Sequence, residues 1–128
     1  ADGGAVRQMM ADVLGGLAYL HTRPQPIVHR DLKPPNVLCD ARRHCKLADF
    51  GTAQVLRDAG ARLDECVGTA LYMAPEVERG DAYGLAADVF SFGVMLYECY
   101  YYLDNGEDFY NGDFALFTGM EAVRTPLG

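Results

Sequence analysis

The amino-acid sequence predicts a mainly α-helical domain with a few short β-strands, an α+β fold. Two observations carry this prediction: apolar residues recur with a helical period in two long segments, and three short apolar stretches lie between those segments. A chain of 128 residues that is 50% hydrophobic can form one modest core and is too short for two ordinary domains. Residues 1–128 are therefore expected to form one structural unit.

The first helical segment runs from Val6 to Leu20. Apolar residues recur there at three- and four-residue steps, which places one apolar stripe along a helix. Pro24 and Pro26 follow and predict the end of the helix. We expect an amphipathic helix that buries one face.

The three short apolar stretches that follow are predicted to be strands at 27–28, 37–39 and 45–48. A polar connection at 40–44 has the length of a hairpin turn. No period holds from Gly51 to Gly68, so that segment is predicted to be a long loop, a kind of segment that is often functional.

The second helical segment begins near Ala86 and continues toward Tyr102. Its residues are apolar nearly all round, which predicts a buried helix at the centre of the unit. Beyond it, only a weak helical pattern is found, at 114–123.

The charge of the chain limits its partners. Eleven basic and 18 acidic residues give a net charge of −7, which disfavours binding to nucleic acid or to an anionic membrane surface. No apolar run approaches the roughly 20 residues that span a bilayer, and the first residues resemble no secretory signal. We expect a cytoplasmic protein with no membrane insertion and no nucleic-acid partner.

The four cysteines are Cys39, Cys45, Cys66 and Cys99, and no two of them form a C-x-x-C pair. This spacing suggests neither a zinc site nor a disulfide framework. Reduced, structural thiols are therefore the expectation.

Two motifs follow one another in the first half of the chain. The run His29-Arg30-Asp31-Leu32-Lys33-Pro34-Pro35-Asn36 places a carboxylate, an ammonium and a carboxamide on a loop between two strands. The run Asp49-Phe50-Gly51 begins thirteen residues after Asn36, directly after a strand. In this order and at this spacing, the motifs resemble the catalytic loop and the metal-binding loop of the protein kinases.

The resemblance implies a role for each polar residue of these loops. Asp31 would orient the substrate hydroxyl or accept its proton, and Lys33 would contact the transferring phosphate and indicate the serine/threonine class. Asn36 and Asp49 would hold Mg²⁺, which bridges the phosphates of ATP and prefers hard oxygen ligands. Leu38 would lie under the adenine ring.

A third stretch, from Gly68 to Glu76, resembles the substrate-docking loop that ends in Ala-Pro-Glu. Thr69 would then lie near the catalytic loop and support selection of the substrate hydroxyl. Glu76 would need an arginine partner, for which Arg79 and Arg124 are available but not aligned with the family pattern.

Three further residues are assigned structural roles by the same resemblance. His29 and Phe50 would be buried in the hydrophobic interior, so His29 is not expected to act as a general base. Asp88, at the start of the second long helix, would accept hydrogen bonds from the catalytic-loop backbone. An aspartate in a first helical turn also interacts favourably with the helix dipole, and both roles are compatible.

A regulatory hypothesis concerns Arg30, which marks kinases whose activation-loop phosphate pairs with the arginine beside the catalytic aspartate. Between Asp49 and Gly68 the only hydroxyl residue is Thr52. Glu65, or its neighbour Asp64, would supply a permanent negative charge. The alternative, a solvated loop carboxylate, stays open.

The resemblance thus implies a truncated C-terminal lobe of the protein-kinase-like fold, with the catalytic loop at 29–36, the activation segment at 49–76 and the central helix at about 86–102. Pro35 departs from the family pattern, and nothing before Val6 resembles the glycine-rich loop or the lysine strand of the N-terminal ATP lobe. The implied function is an ATP- and Mg²⁺-dependent protein serine/threonine kinase that acts on a protein substrate and is inactive as this fragment alone.

Two other function classes remain to be considered. A non-catalytic kinase-like interaction module is the alternative, although folding alone does not require the full set Asp31, Lys33, Asn36 and Asp49. A small-molecule phosphotransferase is disfavoured by the docking loop that ends at Glu76.

Overall fold

The structure, a computed structural model, describes residues 3–104 and has an α+β architecture, as predicted. The helices are α1 (Gly3–His21), α2 (Pro75–Glu78) and α3 (Ala86–Asp104). The strands are β1 (Ile27–Val28), β2 (Val37–Cys39), β3 (Cys45–Leu47) and β4 (Gln54–Val55). Three short 3₁₀ turns lie at Pro34–Asn36, Phe50–Thr52 and Ala70–Tyr72. The weak helical pattern at 114–123 and Arg124 lie outside the described residues.

Helix α1 is amphipathic, as its apolar period predicts. Its buried side chains include Met9, Val13 and Leu17, which pack with Leu32 and Met95 in the main core. Complete burial of one such side chain contributes roughly 1.5–3 kcal/mol. This stripe therefore fixes α1 beneath the loop that carries Asp31.

The strands form two antiparallel pairs, β1 with β4 and β2 with β3. The β2–β3 pair is the predicted hairpin, and its turn is closed by Asp40, whose Oδ1 accepts the N–H groups of Arg42 (2.8 Å) and His44 (2.9 Å). Strand β4 falls inside the segment predicted to be a loop. A two-residue strand has no detectable period, and β4 forms because the chain returns beside β1.

The cysteines correct the expectation that all four are reduced. Strands β2 and β3 place Cys39 directly opposite Cys45, with the Cα atoms 4.2 Å apart, and the two form a disulfide. Register across a hairpin, which sequence spacing does not reveal, brings the two together. Cys66 is free and exposed, and Cys99 is free and buried. Burial raises the pKa of the Cys99 thiol to about 12, so it remains protonated at neutral pH.

Helix α3 is less buried than its composition predicts. One face, formed by Ala87, Ser91, Met95 and Cys99, is buried, but Val89, Phe90 and Tyr97 are exposed. The expectation of burial on all sides is therefore wrong for residues 3–104, because α1 and the 70–72 turn cover only one side of α3. None of the helices found between Gly3 and Asp104 combines the length and the apolar character that a membrane-spanning segment needs.

Candidate active site

Asp88 binds the backbone of the catalytic loop. Its side chain is 1% exposed, and its two carboxylate oxygens accept the backbone N–H groups of His29 (2.7 Å) and Arg30 (2.9 Å). The Nε2 of His21, at the end of α1, donates to the same carboxylate at 2.9 Å. Asp88 therefore joins α1, α3 and the catalytic loop at one buried point, in addition to lying in the first turn of α3.

His29 is fully buried beneath the loop. Its Nε2 donates to the carbonyl of Ala48 at 2.8 Å, while its Nδ1 accepts the N–H of Asp31 at 3.2 Å. Both ring nitrogens are occupied, so the ring is held in one tautomer and has no free nitrogen to act as a base. The ring thus ties the catalytic loop to the end of β3.

A polar chain links Asp31, Thr69 and Lys33 at the surface of the loop. Lys33 Nζ donates to Thr69 Oγ1 (2.7 Å), and that hydroxyl donates to Asp31 Oδ1 (2.7 Å). The second carboxylate oxygen, Oδ2, lies 3.9 Å from Lys33 Nζ. The structure brings the three predicted residues together, and the Thr69 hydroxyl binds Asp31 Oδ1 and not Oδ2.

Asn36 and Asp49 lie at neighbouring ends of the β2–β3 hairpin, because the N–H of Ala48 donates to the carbonyl of Asn36 at 2.9 Å. Asn36 is buried, and its Nδ2 donates to the Asp31 carbonyl at 2.7 Å, so this hydrogen bond does not use its Oδ1. Asp49 is exposed, and its Oδ1 accepts the Gly51 N–H at 3.3 Å.

These two side chains offer hard oxygens of the kind that Mg²⁺ prefers, so the residues present fit a magnesium ion. Among residues 3–104, no group of three His, Cys, Asp or Glu side chains is arranged to hold a metal. An ion here would therefore take its remaining ligands from phosphate and water, as Mg²⁺ commonly does.

Two of the three non-glycine residues with positive φ between residues 3 and 104 lie in the same two loops, and the third, Arg43, lies in the β2–β3 turn. Arg30 has φ 74° and Asp49 has φ 55°, a left-handed conformation that costs a non-glycine residue about 1–3 kcal/mol. Hydrogen bonds hold both residues in place: Asp88 binds the Arg30 N–H, and Gly51 binds the Asp49 side chain. Such strain is characteristic of functional loops.

The Arg30 guanidinium connects three segments. Nε donates to the carbonyl of Thr52 (2.6 Å), and Nη1 donates to Glu65 Oε1 (3.0 Å) and to the hydroxyl of Tyr83 (3.3 Å). Burial acts to lower the pKa of Arg30, but the hydrogen bonds with Tyr83 and Glu65 outweigh it, and the pKa is raised. Arg30 is thus a permanent cation in this network.

The comparisons with known proteins agree with this geometry. A family model described as "Protein kinase domain" matches residues 2–109. This chain belongs to the protein kinase domain family.

Individual kinases are similar over most of the chain. The serine/threonine-protein kinase CTR1 of Arabidopsis thaliana is 44% identical over 90 residues, which are 70% of this chain and 11% of that protein. A probable serine/threonine-protein kinase, drkB of Dictyostelium discoideum, is 44% identical over 94 residues (73% and 13%). The STE7 homolog of Candida albicans is 43% identical over 93 residues (73% and 16%). The chain therefore spans 11–16% of the length of these three relatives.

In this kinase domain two large apolar residues that closely follow Asn36 and Asp49 in the chain, Leu38 and Phe50, are half exposed. Leu38 is 48% exposed on β2, and Phe50 is 47% exposed although its ring lies 5.2 Å from the ring of His29. The expectation that Phe50 is buried is therefore wrong. His29 covers one side of the Phe50 ring, and the other side has no cover within residues 3–104.

Glu76 lies in the first turn of α2 and is half buried. Arg79, one candidate for its partner, instead donates from Nε to Asp81 Oδ2 at 2.9 Å. Arg124, the other, lies outside the described residues. In the part of the kinase domain that the structure describes, the Glu76 carboxylate meets no cation.

Three contributing residues were not singled out from the sequence: His21, Thr52 in its contact with Arg30, and Tyr83. His21 ends a predicted helix and Tyr83 stands in a polar loop, so neither belongs to a recognisable pattern. Their partners are 67, 22 and 53 positions away, respectively. Only the fold brings such distant residues together.

Proposed function

We propose that this chain is the substrate- and metal-binding part of a protein serine/threonine kinase that transfers the γ-phosphoryl group of ATP to a protein hydroxyl. The observation that supports this most is the Thr69 hydroxyl, which bridges the Asp31 carboxylate and the Lys33 ammonium. A purely structural role would not require the Asp31 carboxylate and the Lys33 ammonium to lie side by side, partly accessible to solvent, on a strained loop.

Each residue has a defined part in the reaction. The substrate hydroxyl oxygen forms a bond to the γ-phosphorus as the bond to the β-phosphate oxygen breaks, and ADP leaves with that electron pair. Asp31 Oδ2 orients the hydroxyl and accepts its proton. Lys33 neutralises charge on the transferring group, because its ammonium already lies beside Asp31.

ATP and Mg²⁺ are the implied cofactors. Asn36 Oδ1 and the Asp49 carboxylate would hold the ion, which supplies charge neutralisation at the phosphates. Leu38 would support the adenine ring from its exposed position on β2.

The second wall of the nucleotide site is proposed to come from protein outside residues 1–128. Half-exposed Leu38 and Phe50 support this, as does the much greater length of the relatives. A phosphate clamp needs groups on both sides of the nucleotide, so residues 1–128 alone are expected to be inactive.

The test is phosphorylation of dephosphorylated casein by the full-length protein, with radiolabelled ATP and Mg²⁺. Wild-type protein should label serine and threonine, as identified by acid hydrolysis. Asp31→Asn should reduce the rate by about 10³-fold or more, as loss of a catalytic base does. Asp58→Asn, which changes an exposed acid paired with Arg57, serves as the matched control and should leave the rate unchanged. Wild-type labelling no higher than that of Asp31→Asn would refute the proposal.

A further inference from the structure

The segment between the metal loop and the docking loop carries charge but no hydroxyl. Residues 53–68 contain no Ser, Thr or Tyr, so no phosphate ester can form on a hydroxyl there. The acidic residues of this segment are Asp58, Asp64 and Glu65. Any negative charge that the segment presents to the catalytic loop must come from a carboxylate.

Of these three acids, Glu65 is the one that reaches the catalytic loop. Its Oε1 accepts from Arg30 Nη1 at 3.0 Å. Asp58 instead lies beside Arg57 (3.4 Å) and accepts the Gly60 N–H (2.9 Å). Asp64 is exposed. The contact is therefore specific to position 65.

The backbone of Glu65 is fastened as well as its side chain. The hydroxyl of buried Tyr83 donates to the Glu65 carbonyl at 2.6 Å and accepts from Arg30 Nη1 at 3.3 Å. Leu63 and Tyr83 form a bridge of two backbone hydrogen bonds, each 2.8 Å. Tyr83 thus holds residues 63–65 at a fixed distance from Arg30.

Arg30 and Glu65 differ in burial, and this difference indicates which of the two is stabilised more by their ion pair. The Arg30 side chain is 7% exposed, whereas that of Glu65 is 68% exposed. An exposed carboxylate gains little from pairing because water and salt screen it. A buried guanidinium is costly without a partner. Loss of Glu65 therefore acts on Arg30, which directly precedes Asp31 and binds Thr52 just after the metal loop.

We propose that Glu65 and Tyr83 act as positioning residues that hold Arg30, and with it the catalytic loop, so that no phosphate on the activation segment is needed. This inference rests on the proposed kinase function. A carboxylate carries one negative charge where a phosphate carries about two, and the two hydrogen bonds of the Tyr83 hydroxyl supply the additional restraint.

The experiment compares wild-type full-length protein with Glu65→Gln, Tyr83→Phe and the matched control Asp64→Asn. Each is treated with a protein phosphatase, the phosphatase is removed, and kcat is measured on casein. Wild type should keep its kcat after treatment. Glu65→Gln should lower kcat about tenfold and Tyr83→Phe about threefold, while Asp64→Asn stays within about twofold of wild type.

Hydrogen–deuterium exchange of residues 29–33 and 61–68 provides a readout that does not need activity. Glu65→Gln should speed exchange in both segments, because they share Arg30, and Asp64→Asn should not. A wild type without kinase activity refutes the proposed function. In that case the exchange data still test whether Glu65 holds Arg30 in place. Loss of wild-type kcat on phosphatase treatment, or a Glu65→Gln protein with wild-type kcat or wild-type exchange, would overturn the inference.

Discussion

The catalytic loop of this kinase domain and the apolar edge formed by Leu38 and Phe50 differ in how they are held. The loop at 29–36 is fixed from within the chain, since Asp88, the Ala48 carbonyl and Thr69 bind its polar groups. The edge formed by Leu38 and Phe50 has about half of its side-chain surface open. The polar groups of the loop thus find partners among residues 3–104, whereas about half of the Leu38 and Phe50 surface is left uncovered there.

The largest effect that tests this contrast is expected at Asp88. Asp88→Ala should lower the free energy of unfolding by about 3–5 kcal/mol, because it leaves two buried N–H groups of the catalytic loop without an acceptor. Urea unfolding of the full-length protein measures the change. Asp81→Ala, which removes an exposed pair with Arg79, is the control and should cost less than about 0.5 kcal/mol. Equal effects from the two substitutions would mean that Asp88 does not anchor the loop.

Two adjacent residues on β2 allow a buried side chain to be compared with an exposed one. Val37 is fully buried and Leu38 is half exposed. Val37→Ala should cost about 2 kcal/mol of unfolding free energy, and Leu38→Ala about 0.5 kcal/mol. Leu38→Ala should instead raise the Kd for ATP severalfold, as measured by isothermal titration calorimetry. If Leu38→Ala proves as destabilising as Val37→Ala, the edge is not open to a ligand.

Gly68 and Gly80 differ in how closely the backbone around them is approached by other residues. Both have positive φ, 126° at Gly68 and 81° at Gly80. A Cβ at Gly68 would lie 2.7 Å from the Arg30 carbonyl oxygen, whereas one at Gly80 would meet nothing within 4 Å.

Gly80→Ala should therefore cost about 1 kcal/mol from backbone conformation alone, and Gly68→Ala about 1–2 kcal/mol more because of the contact. The difference in urea midpoint between the two variants measures that contact. Equal costs would show that residue 68 does not approach Arg30.

The smallest expected effect concerns Asp40 in the turn between β2 and β3. The backbone N–H of His44, and to a smaller extent that of Arg42, donates a hydrogen bond to the exposed Asp40 carboxyl. These hydrogen bonds lower the pKa of Asp40 below its ordinary 3.8. Because the folded state favours the ionised form, this stabilisation is present above pH 3.8 and is lost as the pH falls through the lowered pKa. NMR titration of the His44 amide shift should give a midpoint below 3.8, and Asp40→Asn should abolish the transition. A midpoint at or above 3.8 would contradict the hydrogen bonds.

Local patterns and motifs made much of this structure predictable. The period of α1, the hairpin of β2 and β3, and the start of α3 follow from residue spacing, and motif order led to Asp31, Lys33 and Asn36. Long-range contacts were not accessible in this way. Pairing of β4 with β1, the Cys39–Cys45 disulfide and the contact of Tyr83 with Glu65 depend on how distant segments meet. The exposure of Phe50 likewise depends on which other segments pack against its ring, and the apolar character of the residue does not specify those segments.

The most direct test of the central claim separates binding of the nucleotide from transfer of the phosphoryl group in the full-length protein. Isothermal titration calorimetry gives the Kd for ATP with and without Mg²⁺, and single-turnover kinetics give the rate of transfer. Asp31→Asn should bind ATP and Mg²⁺ as the wild type does while transferring about 10³-fold more slowly, and Asp49→Asn should lose the Mg²⁺-dependent part of the affinity. Wild-type transfer by Asp31→Asn, or an Mg²⁺ dependence unchanged in Asp49→Asn, would contradict the roles assigned to the two loops.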